Sequence, residues 1–178
     1  GAGRDIATAN DLDTIVDAAR RMMGLLKQLL EIARVEDGAG VCYRELIEPV
    51  ALARGVLETL APFAAKYGVA LELTAEAGVL VLVAEQAKLR QCLLSLLASA
   101  IRSARDGQVS LTIRQDGART LFEVRDSGPG LSPEQVARLL DPFSHVDPHV
   151  VTDAGGAGLG LVIVRQLAEA MGGGLSAA

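Results

Sequence analysis

Three short stretches carry residue types at spacings that could do chemistry. In RDSGPGLS (125–132), Asp126 closes a strand-like run, and Gly128 and Gly130 permit backbone conformations and close approaches that side chains forbid. Asp126 could accept a hydrogen bond from a ligand amine, although an aspartate and glycine after a strand by themselves describe no more than a turn. In GGAGLGLVIVRQLAEAM, Gly155, Gly156, Gly158 and Gly160 stand before and within the start of an amphipathic helix. Free N–H groups and the helix dipole favour phosphate there. A flexible linker would rarely lead straight into Leu159, Leu161, Val162 and Val164. The third stretch, QCLLSLLASAIRSA (91–104), sets Ser95 and Ser99 four apart on one face of an apolar helix, toward either a packed neighbour or a ligand.

Between the glycine clusters lies LLDPFSHVDPH, where Phe143 could anchor a segment by packing its ring into the core. His145 and His149 could share a metal only on a helix, and Pro148 argues against one. Cys42 and Cys92 are far apart, without metal-like spacing, and suit small core positions in a reduced compartment. A net charge of −5 with three Phe, two Tyr and no Trp makes nucleic acid a poor partner. The apolar run AGVLVLVA (77–84) is too short to span a bilayer. A cytoplasmic location is expected, with a membrane-anchored parent left open.

The elements that must hold these residues follow from hydrophobic period and turn chemistry. From Asp11 to Asp37, Leu12, Ile15, Ala19, Met22, Leu26, Leu29 and Ala33 step by threes and fours, after Asn10 as N-cap. Flanking apolar residues widen this heptad seam into a stripe that suits a four-helix bundle. Gly38 to Gly40 end that helix. VCYREL is then extended, 48–66 is helical with Pro49 in its first turn, and VALELT (69–74) and VLVLV (79–83) are strands. Glu85 to Ala104 is a helix, and 108–115 and 119–125 form a hairpin through Asp116-Gly117. A short helix from about Pro133 to Leu140, an irregular stretch to Gly158 and a helix to about Met171 complete an α+β layered domain.

The order of these motifs resembles the dimerisation helix and ATP-binding domain of two-component sensor histidine kinases, within the ATPase group that includes gyrase, Hsp90 and MutL. LLEIARVEDG is similar to the end of the second dimerisation-hairpin helix, KLRQCLLSLLASAIRSA to the N box, RDSGPG to the first glycine box, DPF to the F box and GGAGLGL to the second glycine box. The resemblance implies a dimerisation helix over 1–38 and a catalytic domain over 39–178. That domain would be a Bergerat-type α/β sandwich with a mainly antiparallel sheet, preceded by the long bundle-forming helix. It also implies ATP as the ligand. Asp126 would bond the adenine amino group, Gly128 and Gly130 would shape the adenine pocket, and Gly156, Gly158, Leu159 and Gly160 would line the phosphates. Arg102 would supply phosphate charge, and Phe143 would anchor the lid. Expected partners are a response regulator or a partner histidine kinase, with a homodimer through the heptad helix.

The departures from the family pattern matter as much. Ser95 and Ser99 stand where the family carries asparagines, the second of which helps to ligand Mg²⁺. Ser99 could offer a hydroxyl oxygen, but it lies nearer the backbone than an amide carbonyl, so Mg²⁺ would be held poorly or through water. Ser103 replaces a ring that often flanks the nucleotide. The resemblance puts a phosphoacceptor histidine on a first hairpin helix and adds a closing strand. Neither is in the sequence given, and truncation would account for both. Three readings follow: a histidine kinase with weak or magnesium-independent nucleotide binding and little phosphoryl transfer, a pseudokinase scaffold similar to DivL-type proteins, or a kinase in which Ser99 and neighbouring groups still hold the metal.

Overall fold

The computed structural model describes residues 43–76, 78, 81–132, 134, 136 and 157–177, with side chains in the last stretch from Gly160 onward. The chain divides between Val41 and Cys42, so all described residues belong to the second unit. The heptad helix with Asn10 and Cys42, most of the 133–140 segment, Phe143, His145, His149, Gly155 and Gly156 lie outside them.

Strand β1 (Glu45–Ile47) leads into helix α1 (Pro49–Lys66). Pro49 opens α1 at a position where its missing N–H costs no bond, and the Glu48 carbonyl accepts from the Leu52 N–H at 3.0 Å. Pro62 removes one interior bond of α1, but it sits on the exposed side where water can take the freed carbonyl. The helix ends in a Schellman motif. The Val69 N–H reaches back to the Ala64 carbonyl at 3.0 Å and the Gly68 N–H to Ala65 at 3.2 Å, with Gly68 at φ +65°.

Strand β2 (Ala70–Ala75), strand β3 (Leu82–Ala84) and helix α2 (Gln86–Ala104) follow. The sequence places the second of these strands at 79–83. Among the described residues the strand begins later, with Val81 outside it, and its partner there, β1, offers three residues for pairing. Strands β4 (Gln108–Asp116) and β5 (Arg119–Asp126) make the expected hairpin. Its ladder extends to Asp116 opposite Arg119, so the loop is Gly117-Ala118 rather than Asp116-Gly117. Positive φ at Gly117 alone, +58°, is the II′ pattern with glycine first. Helix α3 (Ala157–Ala170) closes with a second Schellman motif, in which the Gly173 N–H meets the Ala168 carbonyl at 2.8 Å.

The described strands form two sheets. β1 pairs antiparallel with β3, and the larger sheet has the order β2-β4-β5. β4 and β5 are antiparallel, as expected, but β2 runs parallel to β4. The intervening β3 and α2 supply the crossover that a parallel pair requires. The inner face carries Val109, Leu111 and Ile113, all at 0 % exposure, beneath Leu89, Leu93, Leu97 and Ile101 of α2 and Val56 of α1. The outer face is polar. There Glu123 bridges Arg114 at 2.8 Å and Arg125 at 2.7 Å. This one-sided burial accounts for the strict alternation along β4. Among the described residues no helix is long and apolar enough to cross a membrane.

Candidate functional site

Helix α2 organises the site because its buried face, Leu89, Leu93, Leu97, Ala100 and Ala104, fixes the direction of everything else on it. Cys92, Ser99 and Ser103 are seven and four residues apart and form one stripe along α2. At the start of the stripe the Cys92 thiol donates to the Val164 carbonyl of α3 at 3.8 Å. At its end Ser103 meets the loop that leaves β5, against Gly128. Those two contacts are about 16 Å apart along the helix, and Ser99 lies between them. Folding therefore sets Ser99 between the exit of β5, which bears Asp126, and α3, which begins in the second glycine cluster. Ser95 is one turn earlier. Both serines are half-buried, and neither hydroxyl has a hydrogen-bond partner among the described residues.

Asp126 pairs across the ladder with Val109 and so belongs to the inner, helix-covered face of the sheet. Its carboxylate Oδ1 accepts from the Gly128 N–H at 2.8 Å, an Asx turn that orients the carboxylate. Two more bonds tie down the strand exit. The Gln108 N–H donates to Ser127 Oγ at 3.0 Å, and the Ser127 N–H donates to the Gln108 carbonyl at 3.1 Å. The two glycines of this box are needed for different reasons. A Cβ on Gly128 would stand 2.7 Å from the Ser103 carbonyl and 2.6 Å from Asp126 Oδ1, too close for any side chain. Gly130 has open space around it but a φ of +73°. The first permits close approach, the second an unusual conformation.

Arg102 is the basic residue of the N-box stretch, and its surroundings are unlike those the sequence suggests. Its Nε is buried without a hydrogen-bond partner. Burial pushes its pKa down, partly offset by the neighbouring Tyr67 phenol at the end of α1. Tyr67 stacks against Phe63 with ring centroids 4.9 Å apart, and Arg105 lies 5.6 Å above its ring. Arg102 is thus a cation without a carboxylate partner among the described residues, which suits it to an incoming anion. Tyr67 was not legible as a neighbour of Arg102, since 35 residues separate them and nothing local in the sequence joins them, whereas Ser103 and Ser127 adjoin Arg102 and Asp126 in the chain and only their packing against Gly128 and Gln108 was hidden.

Gly158 and Gly160 both fall in the first turn of α3. Gly160 is buried, yet a Cβ there would meet no atom of the described residues within 4 Å, so among them the glycine leaves room beside the helix N-terminus. The side chain of Leu159 lies outside the described set. Desolvation pushes the Cys92 thiol up to about 12, leaving it protonated and inert as a packing group between α2 and α3. Among the described residues no group of three or more His, Cys, Asp or Glu could hold a metal ion.

A strand-end carboxylate in a glycine loop and a glycine-rich helix N-terminus, both packed on one long helix of an α+β layered fold, are the parts of an ATPase domain of the Bergerat type. Residues 84–178 match the histidine kinase-, DNA gyrase B-, and HSP90-like ATPase family, and the chain belongs to it, on the sensor histidine kinase side. The sensor protein TorS of Escherichia coli (strain K12) is 32% identical over 179 residues, 96% of this chain and 19% of TorS. The circadian input-output histidine kinase CikA of Synechococcus elongatus is 29% identical over 168 residues, 91% of this chain and 22% of CikA. Full-length ShkA in complex with AMPPNP superposes with a TM-score of 0.72 at 32% identity, covering 85% of this chain and 31% of that one. The chain spans about a fifth of the length of the curated relatives it matches.

Proposed function

We propose that this ATPase domain of a sensor histidine kinase binds ATP in the cleft between the exit of β5 and the first turn of α3, and transfers phosphate slowly because its N box holds Mg²⁺ weakly. The observation that carries the nucleotide reading is the Asp126 carboxylate, held by Gly128 at the end of a stripe that runs past Ser99 to α3. Asp126 would accept from the adenine amino group, Arg102 would offer its unpartnered guanidinium to the phosphates, and the open side of Gly160 would leave them space. The likeness to ShkA, solved with AMPPNP, supports the same ligand.

The residues present fit a nucleotide but suit the metal poorly. Two neutral hydroxyls, Ser95 and Ser99, replace amides, the second of them at the metal-ligand position, and no acidic cluster among the described residues makes up for it. When bound, Mg²⁺ neutralises charge developing on the transferred phosphoryl group, so a weak site reduces rate more than binding. Residues 1–38 serve in this reading as a dimerisation helix, supported by the heptad pattern and the division of the chain after Val41. A response regulator is the partner, in line with the histidine kinase ThkA, which was solved in complex with response regulator protein TrrA and shares this fold at 20% identity.

The test is calorimetric titration with AMPPNP in Mg²⁺ and then in EDTA, on the natural chain and on Ser95→Asn/Ser99→Asn. Affinity that is indifferent to EDTA in the natural chain and gains magnesium dependence in the variant is expected. Magnesium-dependent binding by the natural chain would return the serines to competent ligands. Absence of binding at millimolar nucleotide would favour the pseudokinase scaffold.

A further inference from the structure

The β2 edge of the larger sheet is open among the described residues, since β2 pairs only with β4. The parallel ladder shows which backbone groups are spare. The Ala70 N–H bonds the Gly107 carbonyl at 2.9 Å and the Glu76 N–H bonds the Ile113 carbonyl at 2.9 Å. Alternation between them turns the even-numbered residues toward β4 and leaves the N–H and C=O of Leu71, Leu73 and Ala75 facing outward. The side chains of those same three residues line a groove of about 550 Å³ whose other wall is α1, through Val50, Leu57 and Ala61 together with one cation and one anion, Arg54 and Glu58, whose charges offset each other. A row of hydrogen-bonding groups free among the described residues, beside a mainly apolar groove without net charge, has the form that strand addition uses. The backbone supplies affinity and the groove takes alternate side chains.

The charges select the occupant. Glu72 and Glu76 stand exposed on the alternate positions of this edge, and neither has an ion-pair partner among the described residues. A second copy pairing here antiparallel would bring glutamates together, which deters self-association. We propose that the β2 edge and its groove accept an extended segment of a partner protein, apolar at the positions facing α1 and basic at those between them. Six residues span β2, about 20 Å of strand.

The experiment follows backbone amide exchange by NMR in the full chain, with a capped hexapeptide of alternating valine and lysine as probe. At a peptide concentration about ten times Kd, the amides of Leu71, Leu73 and Ala75 should exchange about tenfold more slowly. Those of Glu72 and Thr74, already bonded to β4, should change little. The same peptide N-methylated at alternate residues should give no protection. Glu72→Lys/Glu76→Lys, with an unchanged unfolding midpoint, should weaken the valine–lysine peptide about tenfold. No protection at millimolar peptide, or equal protection by the N-methylated peptide, overturns strand addition. Equal affinity for a valine–glutamate peptide overturns the basic partner. Protection that rises with protein concentration alone would assign the edge to a second copy.

Discussion

Gly128→Ala tests the geometry of the cleft most directly. The added Cβ would lie 2.7 Å from the Ser103 carbonyl, a backbone atom in the last turn of α2 that cannot swing aside. Relief requires several tenths of an ångström of movement in the β5-exit loop, which Ser127 ties to Gln108 through two hydrogen bonds. Overpacking of this kind costs about 1–3 kcal/mol. For a chain of this size that lowers Tm by about 3–10 °C. Because the Gly128 N–H orients the Asp126 carboxylate, the same displacement should also weaken the adenine contact proposed for it. Loss of one charge-assisted hydrogen bond, about 1.5–3 kcal/mol, corresponds to roughly 10- to 150-fold in affinity. Urea unfolding and AMPPNP titration measure the two effects. Ser103→Gly in the same chain removes the hydroxyl but leaves the carbonyl, so it should restore less than half of the loss. A change in stability below about 0.5 kcal/mol, or full rescue by Ser103→Gly, would refute the backbone clash.

Three further outcomes are expected. Asp126→Asn keeps an oxygen for the Gly128 N–H but loses the charge, so AMPPNP affinity should fall about tenfold or more while Tm stays within a few degrees. Gly68→Ala forces an alanine to φ +65° in the Schellman motif and should destabilise by at least about 1–2 kcal/mol in urea unfolding. The Cys92 thiol is raised from 9.0 to about 12 in the fold, so the unfolded chain releases its proton first as pH rises. Its contribution to stability is complete below pH 9 and declines toward pH 12, by about 1.4 kcal/mol per pH unit. Between pH 8 and pH 10 the urea midpoint should therefore fall more for the natural chain than for Cys92→Ala.

Much of this protein is written locally. The period of Leu89, Leu93, Leu97 and Ile101 determines a helix and its buried face. Pro49 and Gly68 determine where α1 begins and ends, and the alternation of Val109, Leu111 and Ile113 determines a strand covered on one side. The two glycine boxes and the missing asparagines at Ser95 and Ser99 are also plain in the chain, because backbone conformation and ligand chemistry reside in single residues. Strand ends were less legible, as at β3, because pairing stops where the partner stops.

Tertiary structure decided what depends on residues distant in sequence. It made β2 parallel to β4, which no local period encodes, and left Leu71, Leu73 and Ala75 at an edge that no other described strand pairs. It brought Ser103 against Gly128, so that a glycine open to a conformational reading is required instead by close approach. It placed Arg102 beside Tyr67, where burial withholds water from the guanidinium and no carboxylate of the described residues pairs with it. Propensity and patterning act over a few residues. Steric exclusion and desolvation act between whatever surfaces the packed elements bring together, and only the folded chain selects those surfaces.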